Sequence, residues 1–512
     1  MVKELNTVLR VAVIGSGISG IASAAMLRKE GFQVTIFEKS ERIGGVWALA
    51  YPNVRLQNIA PQYHISDFPW PFQPDMHPTG AQIMQYLETA VQHFHLDVRL
   101  QHCVKTMQEE PGGWLLNIEG PDGMTQHHFD YVMVSNGHYS AGKKDQRFPG
   151  QDIFQGQVIT ERDVRSMDIF KGKRVAVIGF GKSAVDMAEF AAQQEGAQVS
   201  HVFRTPRWML PRRILGLHFT KMLFNRFGSV MMPSWSHPSV VERLMHTRSP
   251  GFIQTFWKQI EGIFRSHILK AGAGKGPEAL QRLKTVVPSH PLVPDLRSAS
   301  CLEPIHYYQF VAEGRIEPYH SEVESFTDNG LLLKNGAQLD CDLVVLSLGS
   351  QTPVFPFLPA RFRNMLEAES DGIQLYRHLV HPDIPRLGFA GYNHCFLHVS
   401  AVEVATLWLS ALWKGEMQLP SKEEMYESMA YVQAWKREHM HFEPSRSCGA
   451  NTRFQQYIDT LLKDLRISPY RKMPNIAAEI FARYRAADYA NVQKEFRRTA
   501  AQKVLRPVKS MN

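Results

Sequence analysis

Two stretches of the chain repeat the same pattern of apolar and small residues. Residues 10–20 read RVAVIGSGISG and residues 174–184 read RVAVIGFGKSA. An uninterrupted apolar run of this length is typical of a strand buried on both faces of a parallel sheet, and helical spacing follows each turn. The pattern therefore predicts two strand–turn–helix units in an α/β protein, with their turns 164 residues apart.

The small residues at the first joint fit a dinucleotide-binding turn. Gly15, Gly17 and Gly20 have the spacing in which the first glycine permits a sharp turn and the second lets a pyrophosphate approach. The third lets the helix pack on the strand. The next apolar run, residues 33–37, ends at Glu38, where a carboxylate can bind both ribose hydroxyls and leaves no place for a 2′-phosphate. This unit is predicted to bind FAD or NAD.

The second unit ends in a cation instead of an acid. Gly179, Gly181 and Ala184 repeat the turn, and the following strand delivers Arg204, 23 residues after Gly181. An arginine there can bind a 2′-phosphate through two hydrogen bonds. Lys182 and Arg207 add positive charge nearby, although either can be a solvated surface residue. We therefore expect FAD at the first unit and NADPH at the second.

The remaining patterns predict interrupted domains. The expected fold is α/β, with two Rossmann-like dinucleotide-binding domains, the second inserted in the first, and a helical C-terminal tail. The stretch 396–413 approaches membrane-spanning length, but Glu403 lies in its middle, so a buried helix is predicted. The predicted boundaries are 1–150 for the first part of the FAD-binding domain, 165–350 for the NADPH-binding domain with an insert at about 208–300, 351–415 for the return segment, and 416–512 for the tail.

Composition narrows the function classes. Of the 512 residues, 44% are hydrophobic and 21% are charged, as in ordinary globular proteins. The five cysteines form no C-x-x-C pair, which argues against a flavin disulfide reductase and against a disulfide framework. The 22 histidines show no ligand spacing, so no metal site is predicted. No targeting segment is recognised before the first strand, and a cytoplasmic location is expected.

The net charge of +8 is unevenly distributed along the chain. Residues 483–512 hold eight basic and two acidic residues, and residues 205–241 hold five basic residues, no acid and several apolar runs. Such a surface suits peripheral binding to an anionic membrane, and the alternative is a solvated tail with a packed insert. Nucleic acid is not expected as a partner, because no nucleic-acid-binding motif accompanies the charge. A homodimer is left open.

Several further segments extend the pattern beyond the two turns. They are GGVW at 44–47, RLQNIAPQYHISDFPWP at 55–71, CDLVVLSLGSQTPVFPFLP at 341–359, HPDIPRLGFAG at 381–391 and FQQYIDTLLKDL at 454–465. Together with GSGISG, Glu38 and GFGKSAVD, they make most of the chain resemble the flavin-containing monooxygenases, which have the Baeyer–Villiger monooxygenases as relatives.

The resemblance implies oxygenation that depends on NADPH and O2. NADPH would reduce FAD by hydride transfer, and O2 would add at the C4a carbon of the flavin. The resulting hydroperoxide would oxygenate a soft nucleophile, the nitrogen or sulfur of a small-molecule substrate. The alternatives are Baeyer–Villiger oxygenation of a ketone, an NADPH oxidase, and a non-enzymatic nucleotide-binding protein.

One family fingerprint is incomplete. The linker pattern F-x-G-x-x-x-H-x-x-x-(Y, F or W) begins here with Phe154 and Gly156, but Thr160 and Val164 occupy the two discriminating positions. The fingerprint therefore cannot separate N- or S-oxygenation from Baeyer–Villiger chemistry.

Asn58 is the catalytic residue that the resemblance implies. Its amide can donate to a developing peroxide charge and accept from a cofactor without titrating, while the alternative is a turn-capping role before Pro61. Trp47 would lie beside the cofactors or fill the core. The predicted cofactor-binding residues are Gly15, Gly17, Gly20, Glu38, Val46, Trp47, Gln57, Asn58, Val104, Gly179, Gly181, Lys182, Ser183, Ala184 and Arg204.

Overall fold

The computed structural model describes residues 8–139, 141–232, 239–298, 300–441, 446, 450 and 453–500. The strands, in chain order, are β1 (Arg10–Ile14), β2 (Gln33–Phe37), β3 (Asp97–Arg99), β4 (Cys103–Glu110), β5 (Gly113–Gly120), β6 (Gly123–Phe129), β7 (Tyr131–Val134), β8 (Gln157–Thr160), β9 (Arg174–Ile178), β10 (Gln198–Phe203), β11 (Met209–Leu210), β12 (Arg213–Ile214), β13 (Leu217–His218), β14 (Cys301–Leu302), β15 (Ile316–His320), β16 (Val323–Phe326), β17 (Gly330–Leu333), β18 (Gln338–Asp340), β19 (Leu343–Leu346) and β20 (Leu387–Phe389).

The helices alternate with these strands and then dominate the C-terminal part of the chain. They are α1 (Ile18–Lys29), α2 (Gly80–His93), α3 (Lys182–Ala192), α4 (Phe219–Leu223), α5 (Arg226–Val230), α6 (Val240–Arg248), α7 (Pro250–Lys270), α8 (Pro277–Thr285), α9 (Leu292–Ser298), α10 (Tyr307–Ala312), α11 (Ala360–Leu366), α12 (His398–Trp413), α13 (Lys422–His439), α14 (Phe454–Asp464), α15 (Ile476–Phe481) and α16 (Val492–Ala500).

The first parallel sheet has the strand order β20-β7-β1-β2-β3. Strand β1 is central, with Val11 opposite Val34 on one side and opposite Tyr131 on the other. Its apolar residues are buried on both faces, as the uninterrupted apolar run predicted. One face belongs to an apolar cluster that includes α1, and the other belongs to a cluster that includes β4, β5 and β6. Strand β20 joins the edge with Leu387 opposite Val132, so a late part of the chain completes the first sheet.

The second parallel sheet has the order β15-β10-β9-β19-β8. Strand β9 repeats the role of β1, and Leu343 lies opposite Val175 and Gln157. The predicted α/β class is confirmed, with two dinucleotide-binding units, the second between two parts of the first, and a helical C-terminal segment. The predicted domain boundaries stay predictions, and the pairing adds that β8, which precedes residue 165, lies in the second sheet.

Each unit also carries a three-stranded antiparallel sheet, β4-β5-β6 in the first and β16-β17-β18 in the second. The first packs through Trp114, which is fully buried and whose indole N–H donates to the Pro385 carbonyl at 3.2 Å. Burial of a large aromatic side chain contributes on the order of 2–3 kcal/mol. The first small sheet therefore attaches to the return segment, whereas the second shares an apolar cluster with strands β9, β10 and β19 of its own main sheet.

Helix α12 is the buried helix predicted for residues 396–413. Nearly all of its side chains are buried, and it packs on α1 and α14. Glu403 accepts hydrogen bonds from the Ser66 backbone N–H at 2.9 Å and from the Ser66 hydroxyl at 2.5 Å. Among the described residues, no helix is both long enough and apolar enough to cross a membrane.

The tail is fastened to the first unit at Glu30, whose side chain is fully buried. Gln493 Nε2 donates to Glu30 Oε1 at 2.8 Å, and Arg497 forms an ion pair with the same carboxylate. Lys414 Nζ lies 3.1 Å from Glu30 Oε2. Helix α16 is therefore held by charge-assisted bonds in a buried setting, where such bonds are strongest.

The insert is fastened to the tail at Arg226. Its guanidinium pairs with Asp459 at 2.6 Å and with Glu479. Arg207 pairs in turn with Asp295 at 3.1 Å. Two of the five basic residues predicted to form a cationic face at 205–241 therefore serve internal ion pairs. The predicted charge of the tail comes partly from Lys503, Arg506 and Lys509, which lie outside the described residues. Peripheral membrane binding therefore stays a prediction.

Candidate cofactor and active site

The first glycine turn leaves no room for side chains at two positions. Gly15 has φ +104°, and a Cβ built there would lie 2.6 Å from the Ser135 carbonyl oxygen. A Cβ at Gly20 would lie 2.0 Å from the Gly15 carbonyl oxygen. Both glycines are therefore required by the close packing of strand, turn and helix, as predicted from their spacing.

Gly17 has a different environment. The atom nearest to a Cβ at Gly17 would be the Gly45 Cα, at 3.9 Å. Gly45 belongs to the GGVW segment, which lies against the turn. Val46 is exposed beside it, and Trp47 is half-buried and donates to the Tyr63 hydroxyl at 2.9 Å. The backbone at Gly17 is thus open to an approaching phosphate at the N-terminus of α1, where backbone N–H groups point outward.

Glu38 is buried at the carboxyl end of β2 and faces the first turn. Its Oε2 accepts from the backbone N–H and from the hydroxyl of Ser16, each at 2.9 Å, and its Oε1 accepts from the Ser40 N–H at 2.9 Å. A carboxylate has about four lone-pair sites, so capacity is left for ribose hydroxyls. Val104 lies nearby in β4, where its side chain is buried in the same apolar cluster as Ile14.

The second glycine turn repeats this geometry. Gly179 has φ +124°, and a Cβ there would lie 2.4 Å from the Ser347 carbonyl oxygen. Gly181 would meet nothing within 4 Å, so its backbone is open to a ligand. The Ala184 Cβ lies 3.6 Å from the Cβ position of Gly179, in ordinary contact. Ser183, in the first turn of α3, is half-buried and bonded to the Tyr51 hydroxyl.

Each turn is flanked by a buried serine that was not predicted. The Ser135 N–H donates to Ile14 O at 2.9 Å, and the Ser347 N–H donates to Ile178 O at 2.9 Å. Within the described part of the chain, neither hydroxyl has a hydrogen-bond partner. A buried hydroxyl left unpaired costs about 1–3 kcal/mol, so both turns fit a polar ligand such as a dinucleotide. The parallel segments VMVSNG and VVLSLG could have indicated this pair.

The cations near the second turn differ in their pairing. Lys182 Nζ lies 2.6 Å from Asp186 Oδ1, and Arg207 is held by Asp295. Arg204 is exposed just beyond β10, and no carboxylate of the described residues lies within ion-pair distance of it. Of the three predicted cations, Arg204 therefore has the guanidinium that is available for a 2′-phosphate.

Two hydrogen bonds join the units close to these turns. The Tyr51 hydroxyl donates to Asp186 Oδ2 at 2.7 Å, and the Leu302 N–H donates to Gln57 Oε1 at 2.9 Å. Burial and the neighbouring Asp186 raise the pKa of Tyr51 well above its ordinary value, so it remains a donor. Gln57 therefore positions the segment that precedes Asn58 against the second unit.

Asn58 is buried where the first segment meets the return segment. Its Nδ2 donates to the Phe396 carbonyl, just before α12, and its own backbone carbonyl accepts from His77 Nδ1 at 3.0 Å. The short 3-10 helix Ala60–Gln62 starts after Ile59 without a side-chain cap, so Asn58 does not cap it. One amide N–H and Oδ1 are left to meet a ligand.

The two departures from the linker fingerprint have local structural roles. The backbone N–H and the hydroxyl of Thr160 both donate to Asp163 Oδ2 at 2.8 Å, which closes a turn after β8. Val164 is 1% exposed and belongs to the core. Thr160 and Val164 therefore serve the local fold of the second unit.

Two Rossmann-like units, each with a ligand-ready turn, define the class of oxidoreductases that bind two dinucleotides. A profile of the Flavin-binding monooxygenase-like family matches residues 8–250 and 310–481, and the chain belongs to this family. It is a flavin-dependent monooxygenase with FAD and NADPH as cofactors.

Similar proteins cover nearly the whole chain. Probable flavin-containing monooxygenase 1 of Arabidopsis thaliana is 30% identical over 95% of this chain and 97% of its own length. The structure of S-allyl-L-cysteine S-oxygenase from Allium sativum has a TM-score of 0.60 at 18% identity, with 96% of this chain and 99% of that chain covered. The open structure of cyclohexanone monooxygenase has a TM-score of 0.67 at 16% identity, with 89% and 97% covered. These two structures show that the fold is shared.

Proposed function

We propose that the protein uses NADPH and O2 to oxygenate a nitrogen or sulfur atom of a small molecule. The observation that carries the proposal is the buried amide of Asn58, held by the Phe396 carbonyl beside the junction of the two units. When bound, FAD and NADPH supply the hydride transfer and the activation of O2.

The residues around the turns have separable binding roles in this proposal. Glu38 accepts from the ribose hydroxyls of FAD, and the open backbone at Gly17 meets its pyrophosphate. Gly181 and the first turn of α3, with Ser183, meet the pyrophosphate of NADPH, while Arg204 binds its 2′-phosphate. The difference between a carboxylate and a guanidinium at matching places supports the assignment of the two cofactors.

In this scheme, Asn58 holds a hydrogen-bond donor in one orientation beside the reacting oxygen and polarises that oxygen. Because its Nδ2 is anchored to Phe396 and its backbone carbonyl is bonded to His77, the amide has one orientation. Its remaining N–H can donate to negative charge that develops on oxygen during the transfer, and such preorganised donors stabilise transition states strongly. An amide does not titrate, so this donor is present at every working pH.

A substrate screen tests the proposal and separates the alternatives. The protein is purified with its flavin, and amines, thioethers and ketones are compared for stimulated NADPH oxidation and for oxygenated product. The expected result is an N-oxide, a hydroxylamine or a sulfoxide formed in proportion to the NADPH consumed. Product from ketones alone would assign Baeyer–Villiger chemistry, and NADPH consumption with hydrogen peroxide as the sole product would assign an oxidase.

A further inference from the structure

A cluster of cations near the active site has no matching acids. The cluster consists of Arg212, Arg213, Lys221, Arg483 and Arg485. No carboxylate of the described residues forms an ion pair with any of the five. Like charges that are gathered without counter-charges repel one another and destabilise the fold, so a persistent cluster indicates a ligand of opposite charge.

Two arginines of the cluster also keep a buried donor that has no acceptor in the described part of the protein. The Nε atoms of Arg212 and Arg483 are buried and have no hydrogen-bond partner within the described residues. The pKa of Arg212 and that of Arg483 are both lowered, mainly by burial. Glu303, Glu189 and Asp186 act on Arg212 only from beyond ion-pair distance.

A cavity of about 320 Å³ adjoins this cluster. Lys221, Arg483 and Arg485 line it, and its one acid, Asp488, is already bound to Lys472 at 2.7 Å. Binding sites for small ligands have volumes of roughly 300–1,000 Å³, so this cavity suits a compact molecule. The aromatic ring of Phe481 supplies an apolar wall.

A chain of hydrogen bonds connects the cluster with Asn58. His77 Nδ1 lies 3.0 Å from the Asn58 carbonyl oxygen, and its Nε2 lies 3.4 Å from His218 Nε2. His218 Nδ1 lies 2.9 Å from Thr220 Oγ1. Arg483 Nη1 donates to the same Thr220 oxygen at 2.9 Å.

The acceptors fix the direction of this chain. Because His77 Nδ1 faces a carbonyl oxygen, it carries the ring proton, and burial and Arg212 lower the pKa of His77 to about 4. His77 Nε2 is then an acceptor, and the N–H at His218 Nε2 donates a hydrogen bond to it. His218 Nδ1 in turn accepts from the Thr220 hydroxyl. In every hydrogen bond of this chain, the donor therefore lies on the Arg483 side and the acceptor on the Asn58 side. The chain holds the cationic cluster at a fixed place relative to the active site.

We propose that the cationic cluster binds the carboxylate of the substrate, so that the oxygenated molecule is an amine or thioether that also carries a carboxylate. Arginine binds carboxylates through paired N–H groups. The Nε–H groups of Arg212 and Arg483 have no acceptor among the described residues and supply such donors, and Arg483 lines the cavity. The inference rests on the proposed function for the oxygenation step, but carboxylate binding is measurable without it.

Paired substrates test the cluster. We compare 3-(methylthio)propanoate with its methyl ester in the holoenzyme, and we expect kcat/KM to be at least tenfold higher for the acid. In Lys221→Gln and in Arg483→Gln, KM for the acid should rise at least fivefold, while kcat and the values for the ester stay within twofold. The matched control is Lys258→Gln, an exposed lysine on α7 outside the cluster, which should change neither substrate.

A binding measurement keeps the test decisive when neither thioether is oxygenated. Calorimetric titration of the holoenzyme with benzoate should show binding that is weakened at least fivefold in Lys221→Gln and in Arg483→Gln, whereas benzamide should bind weakly to all forms. If neither thioether is oxygenated but benzoate binding depends on the cluster, the proposed function is refuted and the carboxylate site is supported. Equal kcat/KM for acid and ester, or benzoate binding that is insensitive to both variants, would overturn the inference. Flotation with phosphatidylserine vesicles that is lost in Lys221→Gln, without any preference for the acid, would assign the cluster to a lipid surface and would also overturn it.

Discussion

The Tyr51 hydroxyl donates to Asp186 across the two nucleotide-binding units at 2.7 Å. Tyr51 comes from the segment after the first glycine turn, and Asp186 lies on the helix that the second turn opens. Lys182 binds the other carboxylate oxygen at 2.6 Å. The two turns are therefore held relative to each other by a charge-assisted bond in a buried setting, where it is stronger than at the surface.

Tyr51→Phe should lower stability because it leaves a buried carboxylate oxygen without its donor. The expected loss is about 2 kcal/mol in the free energy of unfolding, measured by chemical denaturation of the holoenzyme. Tyr426, which is 40% exposed, makes a similar bond to Asp383 and provides the control. Tyr426→Phe should cost no more than about 0.5 kcal/mol. Equal losses of unfolding free energy in the two variants would show that the bond between the units stabilises the protein no more than an exposed hydrogen bond does.

Arg204→Ala should remove most of the preference for NADPH over NADH. The lost charge-assisted contact corresponds to about 1.5–3 kcal/mol, or roughly 10- to 100-fold in the ratio of kcat/KM for the two nicotinamides. Arg207→Ala is the matched control, because Arg207 is paired with Asp295 and its loss should affect stability but not preference. An unmodified enzyme that uses both nicotinamides equally would contradict the assignment of Arg204.

Asn58→Leu should uncouple NADPH oxidation from oxygenation. FAD binding and flavin reduction should persist, whereas product formation should fall about 100-fold and hydrogen peroxide should appear in its place. The measurement is the amount of product and of peroxide per NADPH consumed. Asn117→Leu makes the same change in the antiparallel sheet of the first unit, where Asn117 bonds Thr106, and coupling should stay normal. Normal coupling in Asn58→Leu would remove Asn58 from the oxygenation step.

Glu403 should make stability depend on pH. Burial raises its pKa to about 7, while hydrogen bonds from Ser66 and the charge of Lys29 lower it less. In the unfolded chain the carboxyl has an ordinary pKa of about 4.3. Between these values the folded protein holds a proton that the unfolded chain releases, so this contribution to stability falls as pH rises from about 4.3 to 7.

Glu403→Gln tests that dependence, since glutamine keeps an acceptor for Ser66 and cannot ionise. The fall in unfolding free energy across this pH window should shrink by on the order of 3 kcal/mol. Glu242 is a second buried carboxyl whose pKa burial raises to about 7, and Glu242→Gln should produce its own additive reduction. An unchanged slope in Glu403→Gln would mean that Glu403 is ionised in the folded protein.

The parts of the fold that could be predicted from the sequence are those encoded by local patterns. Residues that lie close together in the sequence are sufficient to predict the two glycine turns, the role of Glu38 and the buried helix around Glu403. A buried strand needs a continuous apolar run, and a phosphate turn needs small residues at fixed spacing. Neighbouring residues in the sequence meet these requirements, so a local pattern is enough to recognise them.

The rest of the site depends on contacts between distant residues. Tyr51 and Asp186 are 135 positions apart, and Arg483 reaches Thr220 across 263 positions. Lys182 pairs with Asp186 only four positions further along α3, which helical spacing could have indicated. Arg207, in contrast, pairs with Asp295 across 88 positions. Pairings of this kind are set by how the units pack, which no local pattern specifies.

The most direct test of the proposed oxygenation is the fate of ¹⁸O2 during turnover. The holoenzyme is supplied with NADPH, ¹⁸O2 and the amine or thioether that best stimulates NADPH oxidation, and the product is analysed by mass spectrometry together with hydrogen peroxide. One ¹⁸O atom on the nitrogen or sulfur of the product, with close to one product per NADPH, is the result that the proposal predicts. Recovery of the label only in hydrogen peroxide, with the amine or thioether unchanged, would contradict it.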